Sequence, residues 1–344
     1  MWKKIIDYYK IPEAAKEPST DSARFKKIRL ISFLTATLGY GMYYVCRLSM
    51  NVIRKPMVDD GVFTETEIGI IGSCLFFTYA IGKFCNGFIA DRSNVKKLMS
   101  TGLLISALIN LALGFTNSFI VFAVLWGING YFQSMGAASG VVSLSRWFDA
   151  SNRGTYYGYW SASHNLGEAI TFISIAILAT NFGWRYGLIG AGLIGIAYFF
   201  IMQWLMKDTP QKYGYLLEDA TSKKEEKNKA DFNASQKTVL CSPAIWILAL
   251  ASAFMYISRY AVNSWGVFYL ETMKGYSTLD ASFIISISSV CGIVGTVASG
   301  LISDKLFKGS RNIPALVFGL MNVLALCLFL LVPGVHFYID VIAM

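Results

Sequence analysis

Nine apolar runs alternate with polar breaks along the chain, at residues 28–53, 68–90, 98–115, 118–142, 154–181, 184–206, 243–270, 280–302 and 313–333. A helix needs about 20 apolar residues to cross the hydrocarbon core of a bilayer, and each run is long enough to supply them or nearly so. The pattern predicts an all-α membrane protein with nine spanning helices. Residues 1–27 are polar and charged and read as an N-terminal segment. The longest break, 207–242, contains Lys223-Lys224-Glu225-Glu226-Lys227 and lacks apolar periodicity, so it reads as a flexible linker. Six runs precede it (28–206) and three follow (243–344), the layout of a two-bundle transporter whose second bundle is incomplete.

Composition narrows the class. Hydrophobic residues make up 55% of the chain and charged residues 15%, which excludes a soluble globular domain. Threading the runs alternately across a bilayer places most of the 30 Lys and Arg on one side: the first 29 residues, the turns after runs 2, 4 and 8, and the linker. The positive-inside rule then puts the N-terminus in the cytoplasm and the protein in the plasma (inner) membrane as a multi-pass chain. The net charge of +9 is accounted for by topology, not by nucleic-acid binding. No cleavable signal peptide is evident at the start. The six cysteines have no paired spacing, there is no phosphate-cradling glycine loop, and no nucleophile stands beside a base. The chain reads as neither an enzyme nor a metal or cofactor protein. Asn233-Ala234-Ser235 matches a glycosylation triplet, but it falls in the linker.

The two parts of the chain repeat each other. Tyr44-Val45-Cys46-Arg47-Leu48-Ser49-Met50-Asn51 returns 212 residues later as Tyr256-Ile257-Ser258-Arg259-Tyr260-Ala261-Val262-Asn263. A second pair of markers closes runs 2 and 8: Gly87 to Arg92, with Asp91 and Arg92, and Gly300 to Lys305, with Asp304 and Lys305. These four charges read as topology signals and helix caps and also as a charge latch that stabilises one access state. A complete copy of the first part would need three more helices after run 9, so the sequence is expected to be truncated.

The chemistry lies in charges inside the runs. An arginine at the centre of a membrane helix costs about 2.5–3.5 kcal/mol on insertion scales and normally faces a cavity. Arg47 and Arg259 fall at similar depth, and a guanidinium offers a rigid fork of donors to phosphate or carboxylate. Lys83 adds a third cation, either in the cavity or snorkelling to the headgroups. Glu168 is the one acid well inside a run, so these cations outnumber the anions and a bound anion is expected. His164 stands one helical turn from Glu168 and shares its face. Tyr40, Tyr44, Tyr79, Trp160 and Tyr256 lie near these charges, where a phenol can donate to a substrate oxygen.

Several segments together carry a family resemblance: Tyr43-Tyr44-Val45-Cys46-Arg47; Gly82-Lys83-Phe84 followed by Asp91-Arg92-Ser93-Asn94; Trp160 to Gly167; Lys207-Asp208-Thr209-Pro210-Gln211; and Ser258-Arg259-Tyr260. Over about residues 28–320 the chain resembles the organophosphate:phosphate antiporters, a branch of the major facilitator superfamily. The resemblance implies a twelve-helix rocker-switch exchanger, of which nine helices are present, that swaps a sugar phosphate or glycerol 3-phosphate for inorganic phosphate. It implies that Arg47 and Arg259 clamp phosphate, and that Lys83, His164, Tyr40, Tyr44, Tyr79, Gln133 and Trp160 surround the cavity. Glu168 departs from the glycerol-3-phosphate pattern, which has glycine there; it is left to pair with Lys83, repel a dianion or bind a sugar hydroxyl. The expected partners are organic phosphate, inorganic phosphate and lipid, with the protein a monomer. Two alternatives carry different expectations: a sugar-phosphate sensor acting through a signalling partner, and a proton-coupled organic-anion symporter using His164 and Glu168.

Overall fold

In the computed structural model, backbone is described for residues 7–15, 21–215, 241–305 and 312–344, and side chains for these except 150–151, 244, 248, 296–305, 312 and 314. Among the described residues, nine long helices occupy the nine predicted positions: α1 (Ser22–Asp59), α2 (Glu65–Arg92), α3 (Val95–Leu113), α4 (Phe119–Trp147), α5 (Ala150–Phe182), α6 (Trp184–Leu205), α7 (Pro243–Tyr269), α8 (Thr278–Lys305) and α9 (Asn312–Leu331). A short helix, α10 (Phe337–Ala343), ends the chain. Seven of the long helices can cross a membrane by length and composition. The charged first turns, Arg47 and Arg54 make α1 more polar than those seven, and α1 nevertheless runs for 38 residues.

Local sequence explains where the helices start and stop. The Asp21 side chain accepts from the Arg24 N–H at 2.9 Å and caps α1. Thr64 and Glu67 form a reciprocal capping box at the start of α2. Gly183, at φ +93°, makes the one-residue turn between α5 and α6, a backbone conformation that a Cβ would strain.

Helices α1 to α6 pack as a unit, α2 along α4, α3 against α4 and α6, and α1 against α5 and α6. Small residues let α1 and α5 cross closely: a Cβ added at Gly167 would lie 2.5 Å from the Gly41 carbonyl oxygen. Buried polar groups are tied across helices, with Tyr43 donating to the Met99 carbonyl at 2.6 Å and Ser49 to Asn110 at 2.7 Å. Many large side chains remain on the outside, among them Phe77, Phe84 and Trp204, as a lipid-facing surface requires. Helices α7 and α8 join the first six through contacts of α7 with α1 and of α8 with α5.

The start of the predicted linker differs from expectation. Residues 207–215 are anchored: Asp208 and Thr209 are buried, and Gln211–Tyr213 form a 3-10 turn. The reason is a charge in need of partners. Asp208 accepts from the Val95 N–H at 2.6 Å and pairs with Arg146 at 3.2 Å. Burial pushes its carboxyl above the ordinary value, while Arg146 and backbone N–H groups pull it back. Residues 216–240, including the Lys223–Lys227 charge run and Asn233, lie outside the described residues.

Candidate functional site

The duplicated octets meet each other. The Asn51 amide donates to the Asn263 carbonyl at 3.0 Å, so two residues at matching positions in α1 and α7 touch. On one side of this contact the two parts of the molecule are closed together: Arg54 of α1 stacks on Trp265 of α7 at 4.3 Å. On the other side, toward the end where α1 begins, lies a cavity of about 410 Å³. Tyr40, Tyr44, Tyr79, Lys83, Trp160, His164, Glu168, Tyr256 and Arg259 all line it. Nine residues singled out in the sequence therefore converge on one space of the size expected for a small-molecule site.

Arg47 is not itself among the residues lining this cavity; it packs against Tyr44, Tyr79 and Tyr260, which are. It is only 5% exposed and is surrounded by rings, with its guanidinium 4.2 Å from the centroid of Tyr79, 5.6 Å from Phe76, and 5.8 Å from both Tyr44 and Tyr260. Desolvated contacts of this kind are worth up to about 2 kcal/mol, but an aromatic face does not satisfy guanidinium donors. The Arg47 Nη2 has no hydrogen-bond partner, and among the described residues Arg47 makes no ion pair.

Arg259 sits differently. Its side chain is 43% exposed and lies 3.6 Å from Glu168 Oε1, and its Nη2 donates to Asn165 Oδ1 at 3.4 Å. Glu168 also accepts from the Asn263 amide at 3.0 Å and from the Ser289 hydroxyl at 3.4 Å. A carboxylate on α5 is thus held by three groups of α7 and α8. Of the roles left open for Glu168, pairing with Lys83 is not the one adopted. Lys83 instead lies 5.1 Å from the other partner of Arg47, the Tyr79 ring, and is exposed to the cavity.

The remaining aromatics build the walls. Tyr40 stacks on Trp160 at 4.6 Å and meets Tyr44 edge-on at 5.4 Å, and Tyr44 leans on His164 at 5.8 Å. The His164 Nδ1 is against the Ser161 carbonyl. A carbonyl can only accept, so Nδ1 carries the proton and Nε2 is left as the other polar edge of the ring. A second cavity, about 600 Å³, continues past Arg259 and Glu168 and is lined by Asn165, Ser258, Ser289 and Asn322 among others.

Two expected placements change. Gln133 is buried, with an unpartnered Nε2, but it is not among the residues lining the cavity; it lies one helical turn beyond Ala137, which is. The contacts at the end of α2 also involve other atoms than expected. Asp91 and Arg92 form no ion pair among the described residues. Instead Arg146 of α4 donates to the carbonyls of Ala90, Asp91 and Ser93 and pairs with Asp208. The backbone end of α2 is the acceptor because its last carbonyls have no helical partners. The Asp304 and Lys305 side chains lie outside the described residues.

Residues 30–344 match the Major Facilitator Superfamily. The membrane sensor protein UhpC of Salmonella typhimurium is 32% identical over 86% of this chain and 69% of its own length. A probable hexose phosphate transport protein of Chlamydia muridarum is 33% identical over 93% of this chain and 74% of its own. The glycerol-3-phosphate transporter of Bacillus subtilis is 30% identical, with shares of 95% and 77%. The chain belongs to the organophosphate:phosphate antiporter family of the major facilitator superfamily. Among solved structures, a bacterial homologue of the human lysosomal transporter Spinster, in an inward-facing and unoccupied conformation, superposes with a TM-score of 0.74 at 18% identity. It covers 92% of this chain and 72% of that one, a likeness of fold.

In this major facilitator protein, several site residues escaped the sequence reading. Asn51 and Asn263 lay inside the quoted octets, and Asn165 inside the Trp160–Gly167 segment. Their amides carry no formal charge and so do not stand out in an apolar run. Arg54 stands seven residues after Arg47, two helical turns on the same face, and this spacing was the available signal. Ser289 and Trp265 carried none, because their roles depend on how α7 and α8 are rotated against α5 and α1.

Proposed function

We propose that the protein is a secondary active transporter that exchanges an organic phosphate ester, a sugar phosphate or glycerol 3-phosphate, for inorganic phosphate by alternating access across the plasma membrane. The observation that carries this reading is Arg47: a buried, permanently charged guanidinium with a free N–H and, among the described residues, no ion pair, packed against rings that line the cavity of Arg259 and Lys83. Leaving a buried charge unpaired costs several kcal/mol, and a phosphate dianion bridging Arg47 and Arg259 removes that cost. The organic part of the ester extends into the second cavity, where amides and hydroxyls suit a polyol.

In this mechanism the N-terminus is cytoplasmic and the open cavity faces inward. Glu168 neutralises Arg259 while the site is empty, and phosphate competes with it. A dianion drawn to Arg259 loosens the Glu168 contacts with Asn263 and Ser289, which join α5 to α7 and α8, and at the same time pulls Arg259 toward Arg47. The occupied protein therefore rocks more readily than the empty one, as strict exchange requires. Lys83 holds the remaining phosphate oxygens from the cytoplasmic side of the clamp, and His164, with its proton on Nδ1, offers Nε2 as an acceptor to a substrate hydroxyl.

Phosphate/phosphate exchange in proteoliposomes tests the reading. Arg47→Lys and Arg259→Lys keep the charge and lose the fork, so each is expected to slow exchange at least about tenfold, the loss of one charge-assisted hydrogen bond. Near-normal exchange in both would refute the clamp. The resemblance to UhpC, a membrane sensor protein, supports a second reading, a sensor that binds sugar phosphate without moving it. Phosphate binding with no measurable exchange under any gradient selects the sensor. Uptake that needs a pH gradient and ignores internal phosphate selects a proton-coupled symporter.

A further inference from the structure

The clamp leaves one buried cation unexplained. Arg54 is 3% exposed and stands two helical turns beyond Arg47 on the same face of α1, about 10 Å farther toward the closed side. Its Nη2 donates to Asn51 Oδ1 at 3.0 Å, while Nε and Nη1 have no hydrogen-bond partner. Among the described residues it takes part in no ion pair. The face of its guanidinium lies on Trp265 at 4.3 Å. The neighbouring Lys55 differs: it is partly exposed and paired with Asp59 one turn on.

A purely structural arginine is expected to spend its donors on carbonyls or a carboxylate, as Arg146 does with three carbonyls and Asp208. Arg54 keeps two donor nitrogens free although it is the more dehydrated of the two, Arg146 having a side chain 13% exposed. Its one polar partner, Asn51, also makes the α1–α7 contact to Asn263, and its cover, Trp265, belongs to α7. The Trp265 cover and the Asn51–Asn263 bond beside it both belong to the α1–α7 contact, which must break when the closed side opens. Separation of α1 from α7 uncovers a guanidinium with two unused donor nitrogens, flanked by an amide, on the route that leads to Arg47.

We propose that Arg54, with Asn51, is a second oxyanion site on the outer part of the pathway. It is capped by Trp265 in the closed state, and in the open state it receives a phosphate group before that group reaches the clamp. The chemical class is a phosphate monoester or inorganic phosphate. As a transport step this rests on the exchange reading above; as a binding site it does not. The free Nε–H and Nη1–H lie on different edges of the guanidinium, and one of them, together with the remaining Nη2–H, makes a two-point fork that matches two oxygens of a tetrahedral anion.

Two measurements test the proposal. In proteoliposomes of known orientation, Arg54→Gln is expected to raise the KM for phosphate presented on the outer side about tenfold or more. The KM from the N-terminal side should stay within about twofold, and Arg54→Lys, which keeps the charge without the fork, should recover only part of the loss. Equal changes from both sides, or none, would overturn the proposal. Arg47→Gln, measured in parallel, should impair both sides; if it does not, the clamp fails while the sided effect at Arg54 still decides this inference. The second measurement needs no transport. The rate at which phenylglyoxal modifies Arg54 in the protein in lipid nanodiscs, read by peptide mass spectrometry, is expected to fall at least about fivefold in millimolar phosphate, also in the Arg47→Gln protein. Absence of labelling, or labelling indifferent to phosphate, contradicts the proposal.

Discussion

Arg47 and Arg259 hold the same place in two copies of one octet and yet live in different surroundings. Arg47 is packed among four aromatic rings with no acid within ion-pair distance among the described residues, whereas Arg259 is partly exposed to the cavity and pairs with Glu168. Duplication of a sequence does not duplicate an electrostatic environment, because the partners come from other helices. Here α2 supplies Arg47 with Tyr79 and Phe76, and α5 supplies Arg259 with Glu168 and Asn165. The consequence is a division of labour in the proposed clamp. Arg47 is a fixed post that always lacks an anion, and Arg259 is a movable one that an anion must win from Glu168.

The sharpest way to break this comparison is to remove each charge in turn. Arg47→Gln is expected to lower phosphate exchange about a hundredfold or more, since it deletes a buried charge-assisted contact worth up to about 3 kcal/mol. Arg259→Gln should cost less, about tenfold, because part of its charge is already offset by Glu168. Equal losses would mean that the environments are equivalent in the working protein. Glu168→Gln sharpens the contrast from the other side: Arg259 then becomes an unpaired cation like Arg47, and phosphate is expected to bind about three- to tenfold more tightly in equilibrium binding, with slower turnover because release is harder.

Smaller effects probe the frame. Tyr79→Leu removes the ring nearest Arg47 and shared with Lys83, and should raise the phosphate Kd about three- to tenfold, as expected for a cation–π contact of about 0.5–1 kcal/mol or somewhat more. Tyr79→Phe keeps the ring and should lie closer to wild type; a full loss in Tyr79→Phe would assign the role to the hydroxyl. Gly167→Ala pushes α5 off Gly41 and is expected to destabilise the protein by about 1–3 kcal/mol, read as a lower melting temperature in detergent, while phosphate affinity in the folded fraction changes little.

Much of this arrangement was legible in the sequence, for reasons that also mark where legibility ends. The nine helices could be read because lipid demands long apolar runs, and α1 was found despite Arg47 because its other residues keep the pattern. The clamp could be read because an arginine in lipid is costly, so two at matching positions stand out. The pairing of Glu168 with Arg259 rather than Lys83 was not legible: Glu168 faces several candidate cations across the cavity, and the choice depends on how α5 turns toward α7. Gln133 was carried over from a family pattern, but its helix leaves it below the cavity wall. The ion pairing at the end of α2 involves Arg146 and Asp208 and not Asp91 or Arg92, because the open carbonyls there attract a guanidinium more directly than a side chain in water does. Arg54 was missed because a count of residues placed it just outside the first apolar run, although α1 continues to Asp59.

The central claim is that a doubly charged phosphate joins Arg47 of α1 to Arg259 of α7 after displacing Glu168. The most direct measurement is a cryo-electron microscopy structure of the protein in lipid with saturating phosphate. The account predicts tetrahedral density within hydrogen-bond distance, about 3 Å, of both guanidinium groups, with Glu168 withdrawn from Arg259. Phosphate density elsewhere in the cavity, or an occupied site in which Arg259 still rests on Glu168 and Arg47 keeps its free N–H, would contradict it.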